Sequence, residues 1–546
     1  MKKGWQRFLV CGLMIALLAG SALVRPSAAA DETSKLYSDY INAVEIVRNN
    51  YVEPLEYDVL SKMAIQNMLH TLDPHSNFYD RKAFDEFRSE QGSQYYGIGA
   101  TIIGRDRAVY VQEPMKGAPA SRAGLRYGDQ FSVIDGKDVE KMSSEQIKNL
   151  LRGPQGTKVK ITVKRPGVTE PVTVTIERAA VEYPSVFDSY MVRPGIGYIG
   201  LTRGFHSTTS EEVSSAIARF KEQGMTSLVL DVRNNPGGYL EEAIRVCDQF
   251  LQRGQLVVSQ RGREGRQPPI NRVAERGSQE TSPLPLVVLI NGFSASASEI
   301  VAGAIQDHDR GLLVGENSFG KGLVQTIIPM SGGTALTLTT QRYYTPSGRL
   351  IQRDYSSGSS YEYFVKQRQG ETKADKPSND QWRTDLGRPV VSGGGIDPDI
   401  KVPSTNPTRI QNQLGNTGLF MFVRELIGGQ VAGAQNFKLG AIEFNHPLKP
   451  NEFVVTDEIM NAYRAFMANF IKARPEWGIT PAMVDDNMDW ARREIREEVL
   501  TAAYGSATAQ RALVDLDKQL QRAMTELPNA GELAMRAKTA RRTSRQ

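Results

Sequence analysis

Between residues 181 and 350 short apolar runs take turns with amphipathic stretches, and this alternation limits the chain more than any other feature. GYIGL (197–201), SLVLDV (227–232), LVVLIN (286–291) and LTLTTQRYY (336–344) have the length and residue types of strands. Residues 208–223, 239–252 and 296–307 carry helical spacing. Strands that alternate with helices pack as layers around one core, so this region predicts an α/β domain. Upstream, Leu36, Tyr40, Val44 and Val47, then Leu60, Met63, Ile65 and Met68, mark helices over 34–72, and a shorter one is expected at 81–91. Within 97–178, AVYVQEP, QFSVIDG and KVKITVKRP alternate as strands do, and SSEQIKNLL opens on an S-x-x-Q cap as a helix does. Residues 355–395 are polar and rich in Gly and Ser, and 407–546 turn helical again.

The N-terminus reads as a secretory leader. Lys2, Lys3 and Arg7 precede the apolar run Phe8–Val24, and Ala28-Ala29-Ala30 offers a small-residue cleavage site before Asp31. The run is short for a spanning helix, so a retained membrane anchor is the second reading. Without the leader's four bases the balance is 62 bases to 61 acids, which gives no electrostatic case for nucleic acid. Cys247 alone remains after Cys11 leaves with the leader, so there is no disulfide framework. Five histidines, none in HExxH or another close ligand pair, argue against a metal hydrolase and leave few bases for a Ser-His-Asp triad. No cofactor or metal is expected.

Three segments carry chemistry. In LVVLINGFSASASEIVAGAIQD (Leu286–Asp307) a buried strand runs through small residues into a helix starting near Ser296. A serine there lies among backbone N–H groups that the helix leaves unused, which can stabilise an oxyanion. Ser296-Ala-Ser-Glu299 also matches a capping box, and a serine that only caps is the commoner case. GENSFGKGLVQTIIP (Gly315–Pro329) nearly matches a phosphate-binding loop, but Gly322 replaces its hydroxyl residue and a strand-like run follows. Lys321 beside a helix-start serine suggests a Ser-Lys dyad instead. The amine must be neutral to take the hydroxyl proton, and burial away from carboxylates favours that form. No acid stands between Glu316 and Asp354, and Gln325, four residues on, shares a strand face with Lys321. In SLVLDVRNNPGGYLEEAI (Ser227–Ile244), Gly237 and Gly238 allow close backbone approach to a carbonyl, and Asp231 can pair with Arg233. GIGYIG (Gly195–Gly200) sits within a strand and is set aside.

Taken in order, LDPHSNFYD, YYGIGATI, EPMKGAPASRAGLRYGDQFSVIDGKDV, DVRNNPGG, NGFSASASE, FGKGLVQ, YYTPSGRLIQ and GGGIDPDI resemble the C-terminal (tail-specific) processing peptidases, Ser-Lys proteases with a PDZ domain. The resemblance covers about residues 34–403. It implies a multidomain α/β protein: a ββα-type (ClpP/crotonase-like) core with an inserted β-rich PDZ domain, N-terminal helices and a C-terminal helical extension. The boundaries expected are a leader at 1–30, helices at 31–96, the PDZ domain at 97–180, the core at 181–404 with a polar insertion about 355–394, and the extension at 405–546. It further implies Ser296 as nucleophile, Lys321 as general base and Gln325 as the residue that positions it. The backbone N–H groups of Gly237, Gly238 and Ala297 would form the oxyanion hole. Ser294 and Ser298, the rivals to Ser296, read as turn and packing residues. Tyr96, Gly97, Ile98 and Gly99 would form the loop that captures a substrate's terminal carboxylate, with Ile98 lining an apolar pocket. The implied activity is a serine endopeptidase, periplasmic or otherwise exported, acting on proteins with free apolar C-termini. An adaptor, or self-association through the extension, would be its further partner. The other reading is a PDZ scaffold that binds tails and cuts nothing, which the joint presence of Ser296, Lys321 and Gln325 opposes.

Overall fold

The computed structural model describes residues 28–543 apart from 267, 279–282, 359, 365–381, 406 and 450–451. The body of the expected leader and the middle of the polar insertion lie outside the described residues.

Two compact units are distinguished. The first comprises residues up to Asp80 together with Ile327–Leu338. Its helices Ala28–Asn50 and Tyr57–His70 leave Leu36, Tyr37, Ile41, Ile46, Met63 and Met68 more than half exposed. Asn77–Tyr79 pairs antiparallel with Ala335–Thr337.

The second unit, Arg81–Thr326 with Thr339 onward, holds the PDZ module, the α/β core and the C-terminal helices. The PDZ sheet runs in the order Ala100–Arg105, Ala108–Pro114, Gln130–Ile134, Lys158–Lys164, Val172–Glu177, so Ala100–Arg105 is an edge strand. The expected capped helix is Ser144–Leu151: Gln146 Oε1 accepts the Ser143 N–H at 2.9 Å, and Ser143 Oγ accepts the Gln146 N–H at 3.3 Å. Gln94–Gly97 pairs with Ala179–Glu182, which joins the two chain crossings between module and core.

The core sheet has the order Val186–Arg193, Ile196–Leu201, Ser227–Asp231, Leu286–Ile290, Leu312–Gly315, Ile400–Lys401. The first pair is antiparallel and the rest are parallel. A parallel strand that is apolar at every position must be covered on both faces. Leu286–Ile290 obeys this by simple alternation: Leu286, Val288 and Ile290 pack with the helices Thr209–Glu222, Leu240–Asp248 and Ala297–Asp307. Val287 and Leu289 face the other way, against Leu520, Ala523, Leu527 and Ala530 of the final helix Lys518–Thr543. The last helix is therefore part of the core and not an appendage to it. Cys247 is fully buried, as a small core residue.

The preceding helices of the C-terminal region pack on the PDZ module. Tyr110 and Tyr127 meet Phe420 at ring separations of 5.1 and 5.5 Å. The Tyr127 hydroxyl donates to Glu498 at 2.7 Å, and Arg424 Nε donates to the Gly128 carbonyl at 2.7 Å. Much of the extension's apolar surface is thus buried in clusters with the module and the sheet.

Candidate active site

Three neighbouring parallel strands deliver the three chemistry-bearing segments from their carboxyl ends, where α/β sheets place their sites. Ser227–Asp231 leads into the NNPGG turn, Leu286–Ile290 into the SASAS turn, and Leu312–Gly315 into the segment with Lys321. Hydrogen bonds stitch the first two turns together. The Asn234 N–H donates to Asn291 Oδ1 at 2.9 Å, and Asn291 Nδ2 donates to Asn234 Oδ1 at 2.9 Å. The Asn235 carbonyl accepts the Ala295 N–H and the Ser298 hydroxyl, both at 3.0 Å. The Ser294 hydroxyl donates to the Val232 carbonyl at 2.8 Å. Ser294 and Ser298 are fully buried, so both serve the turn, as expected.

Ser296 is held differently. Its backbone has φ 55° and ψ −112°, whereas a capping residue ordinarily sits in the β region. A non-glycine residue held there costs about 1–3 kcal/mol and persists only where its surroundings over-determine it. A strained strand-to-helix turn of this kind lifts a serine hydroxyl clear of the sheet. The surroundings are identifiable. The buried Glu299 carboxylate accepts the Ser296 N–H at 2.8 Å through Oε2, and the Tyr343 hydroxyl donates to the Ser296 carbonyl at 3.0 Å.

Glu299 also reaches the lysine segment. Its Oε2 accepts the Lys321 N–H at 2.8 Å, and its Oε1 accepts the Gly320 N–H at 2.6 Å and the Ser318 hydroxyl at 2.5 Å. Burial raises its carboxyl above the usual range, against the four hydrogen bonds that favour the carboxylate. Sequence reading saw Glu299 only as half of a capping box. No local pattern reveals that the same side chain binds a backbone 22 residues on. Lys321 precedes the strand Leu323–Pro329 instead of lying within it, and no helix follows, in keeping with rejection of a phosphate loop. Gln325 is on that strand, and its Nε2 donates to Thr339 Oγ1 at 3.1 Å.

Glycine is required at 237: a Cβ there would lie 2.7 Å from the Ser296 Cβ and 3.0 Å from the Ala297 N, at φ 97°. At Gly238, with φ 148°, it would lie 2.2 Å from the Phe205 carbonyl oxygen. The Gly237 N–H donates to Asn235 Oδ1 at 2.9 Å, so this donor, expected in the oxyanion hole, is already used. Among the described residues no acceptor meets the N–H of Gly238 or of Ala297. Asp231 and Arg233 pair at 2.6 Å as expected, and Arg233 also holds Asp517 at 2.7 Å and Gln519 at 2.9 Å at the start of the final helix. His308, at the far end of the helix that begins after Ser296, is held by Asp385 at 2.9 Å and the Leu256 carbonyl at 2.8 Å. Eleven helical residues span about 16 Å, which removes it as a base for Ser296.

In the PDZ module, Tyr96 and Gly97 lie on the strand Gln94–Gly97, with Tyr96 exposed. Gly99 takes φ 72°, and a Cβ there would meet the Ala118 Cβ at 2.3 Å. Ile98 is only 3% exposed and belongs to the same apolar cluster as Ile147 and Leu151 of the helix.

The profile of Peptidase family S41 matches residues 195–357, and that of the PDZ domain matches 87–164. A carboxy-terminal-processing protease of Bartonella bacilliformis is 39% identical over 324 residues, covering 59% of this chain and 73% of that protein. The carboxy-terminal processing protease CtpA of Bacillus subtilis is 31% identical over 346 residues, covering 63% and 73%. The solved photosystem II D1 C-terminal processing protease is 29% identical, covering 68% of this chain and 86% of its own, with a TM-score of 0.37. With its PDZ module, its α/β core and the level of identity to these relatives, the chain belongs to the S41 peptidases, as a carboxy-terminal processing serine protease.

Proposed function

We propose that the protein is an exported endopeptidase that recognises apolar C-terminal tails through its PDZ module and cleaves peptide bonds with a Ser296–Lys321 dyad on a ClpP/crotonase-like core. The observation that carries this reading is the strained Ser296 backbone, clamped by a carboxylate that also holds the Lys321 backbone. In the proposed reaction the neutral Lys321 amine takes the Ser296 hydroxyl proton as Oγ attacks the scissile carbonyl. Gln325 orients the amine. The oxyanion is met by the N–H groups of Gly238 and Ala297, since that of Gly237 is used within its own turn. The protonated lysine then gives its proton to the leaving amine, and water attacks the acyl-enzyme with Lys321 again as base. Activity therefore rises on the alkaline side, where the amine is neutral.

The tail would add as a strand to the free edge of Ala100–Arg105, with its carboxylate at the Tyr96–Gly99 loop. Ile98 and the helix Ser144–Leu151 would line the pocket that takes the tail's apolar side chain. The leader at 1–30 supports export to the periplasm.

The test is cleavage, by the chain beginning at Asp31, of a protein ending in a short apolar tail, beside the same substrate amidated and beside Ser296→Ala enzyme. Cleavage that vanishes in Ser296→Ala and weakens with the amidated tail is expected. Cleavage that persists in Ser296→Ala refutes the dyad. Binding of the tail with no cleavage by the parent chain would favour a scaffold.

A further inference from the structure

The segment YYTPSGRLIQ has no part in the reaction as described, yet its first tyrosine lies at the centre of the site. Tyr343 is 2% exposed, at the end of the strand Ala335–Tyr344. Its N–H donates to the Gly322 carbonyl at 2.9 Å, and its backbone pairs with Gln260 on the strand Leu256–Arg261. A core tyrosine needs only its ring for packing. This one places its hydroxyl between two main-chain carbonyls and shares its single O–H between them, that of Lys321 at the shorter contact and that of Ser296 at 3.0 Å.

We propose that Tyr343 is a positioning residue of the peptidase reaction, whose hydroxyl ties the main chains of Ser296 and Lys321 together and so sets the separation across which the proton passes. The proposal rests on the reading of these two residues as the dyad. Its geometric basis is a pair of tethers on opposite sides of the same two residues. Glu299 gathers their N–H groups and Tyr343 gathers their carbonyls. With either tether alone, the Lys321 segment can pivot about it. With both in place it cannot. Burial, with the nearby Glu299 charge, pushes the Tyr343 hydroxyl well above its ordinary range, so it stays a donor and does not titrate with the reaction. A displacement of about 1 Å at a catalytic group costs about 100-fold in rate, which is the scale on which such a tether matters.

The experiment compares Tyr343→Phe with the parent chain on a protein substrate carrying an apolar tail, with Ser296→Ala as control. We expect kcat to fall about 10- to 100-fold in Tyr343→Phe, with KM and the Kd of the tail peptide within about twofold of the parent. Tyr343→4-aminophenylalanine, which keeps a donor on the ring, is expected to recover most of the lost kcat. If the phenylalanine chain does not fold, Tyr343→4-fluorophenylalanine takes its place, filling the hydroxyl's volume without donating. A kcat within about twofold of the parent in the non-donating variant overturns the proposal, as does a 4-amino variant no better than it. So does a loss of tail affinity in step with kcat, which marks a merely structural role. Parent cleavage that survives Ser296→Ala overturns the dyad reading itself. Ser296-dependent cleavage with unchanged kcat in Tyr343→Phe overturns only the role of Tyr343.

Discussion

Replacement of Glu299 by glutamine separates what the buried carboxylate does for stability from what it does for the reaction. Each carboxylate oxygen accepts two donors, Ser318 Oγ and the Gly320 N–H on one, the Ser296 and Lys321 N–H groups on the other. A glutamine has one such oxygen, and its amide N–H groups would face donors on the other side. The cheaper orientation keeps Ser296 and Lys321 bonded and gives up Gly320, whose N–H is then buried without an acceptor. Loss of a hydrogen bond to a charged group costs about 1.5–3 kcal/mol. Against this, the neutral amide no longer buries a charge. The raised carboxyl of Glu299 means that burial outweighs its four hydrogen bonds, so this relief offsets part of the loss. Glu299→Gln should therefore lower unfolding stability by less than about 3 kcal/mol, the upper bound for one such bond. Turnover has no such compensation. A shifted Gly320-Lys321 backbone moves the proposed base relative to Ser296, and kcat should fall about 100-fold. The assay pairs cleavage kinetics on a tailed protein with calorimetry at the same pH. A variant that keeps turnover within about threefold of the parent would refute the reasoning. So would a variant whose lost turnover is fully accounted for by its unfolded fraction.

Glu497 offers a pH test: burial, with Glu494 and Glu498 adding like charge, pushes its carboxyl from 4.5 up to about 7. Its folded value is above its unfolded one, so the stability it contributes is complete below about pH 4.5 and lost as pH rises through about 7. Glu497→Gln should therefore unfold at higher denaturant than the parent at pH 8, by about 2 kcal/mol after allowance for solvent screening, and by little at pH 4.5. A chain ending at Asp517 loses Leu520, Ala523, Leu527 and Ala530 from the sheet face formed by Val229, Val287, Leu289 and Val314. Two leucines and two alanines represent about 5 kcal/mol of burial, so this chain should be insoluble or bind a hydrophobic dye strongly. A soluble, dye-silent truncation would show that the final helix is dispensable.

Local order was legible from residue pattern because periodicity and turn chemistry are short-range. The elements GYIGL, SLVLDV and LVVLIN, the cap at Ser143 and the helix after Ser296 all arise from neighbours within a turn or a strand. Ser296 and Lys321, the residues proposed as the dyad, stand out in the sequence for a related reason, since each sits in a short motif beside a strand. What the sequence did not reveal are contacts between segments far apart in the chain. Glu299 joins two turns, the Asn235 carbonyl takes up the Ser298 hydroxyl 63 residues on, and Arg233 reaches Asp517 across 284 residues. The final helix illustrates the division most plainly. Alternation within Leu286–Ile290 requires that a second apolar surface cover Val287 and Leu289, but only the tertiary structure decides that residues 520–530 provide it. Burial is indifferent to sequence distance: hydrophobic attraction and hydrogen bonding act on whatever the folded chain brings together, and that choice is made by the packing of all segments at once.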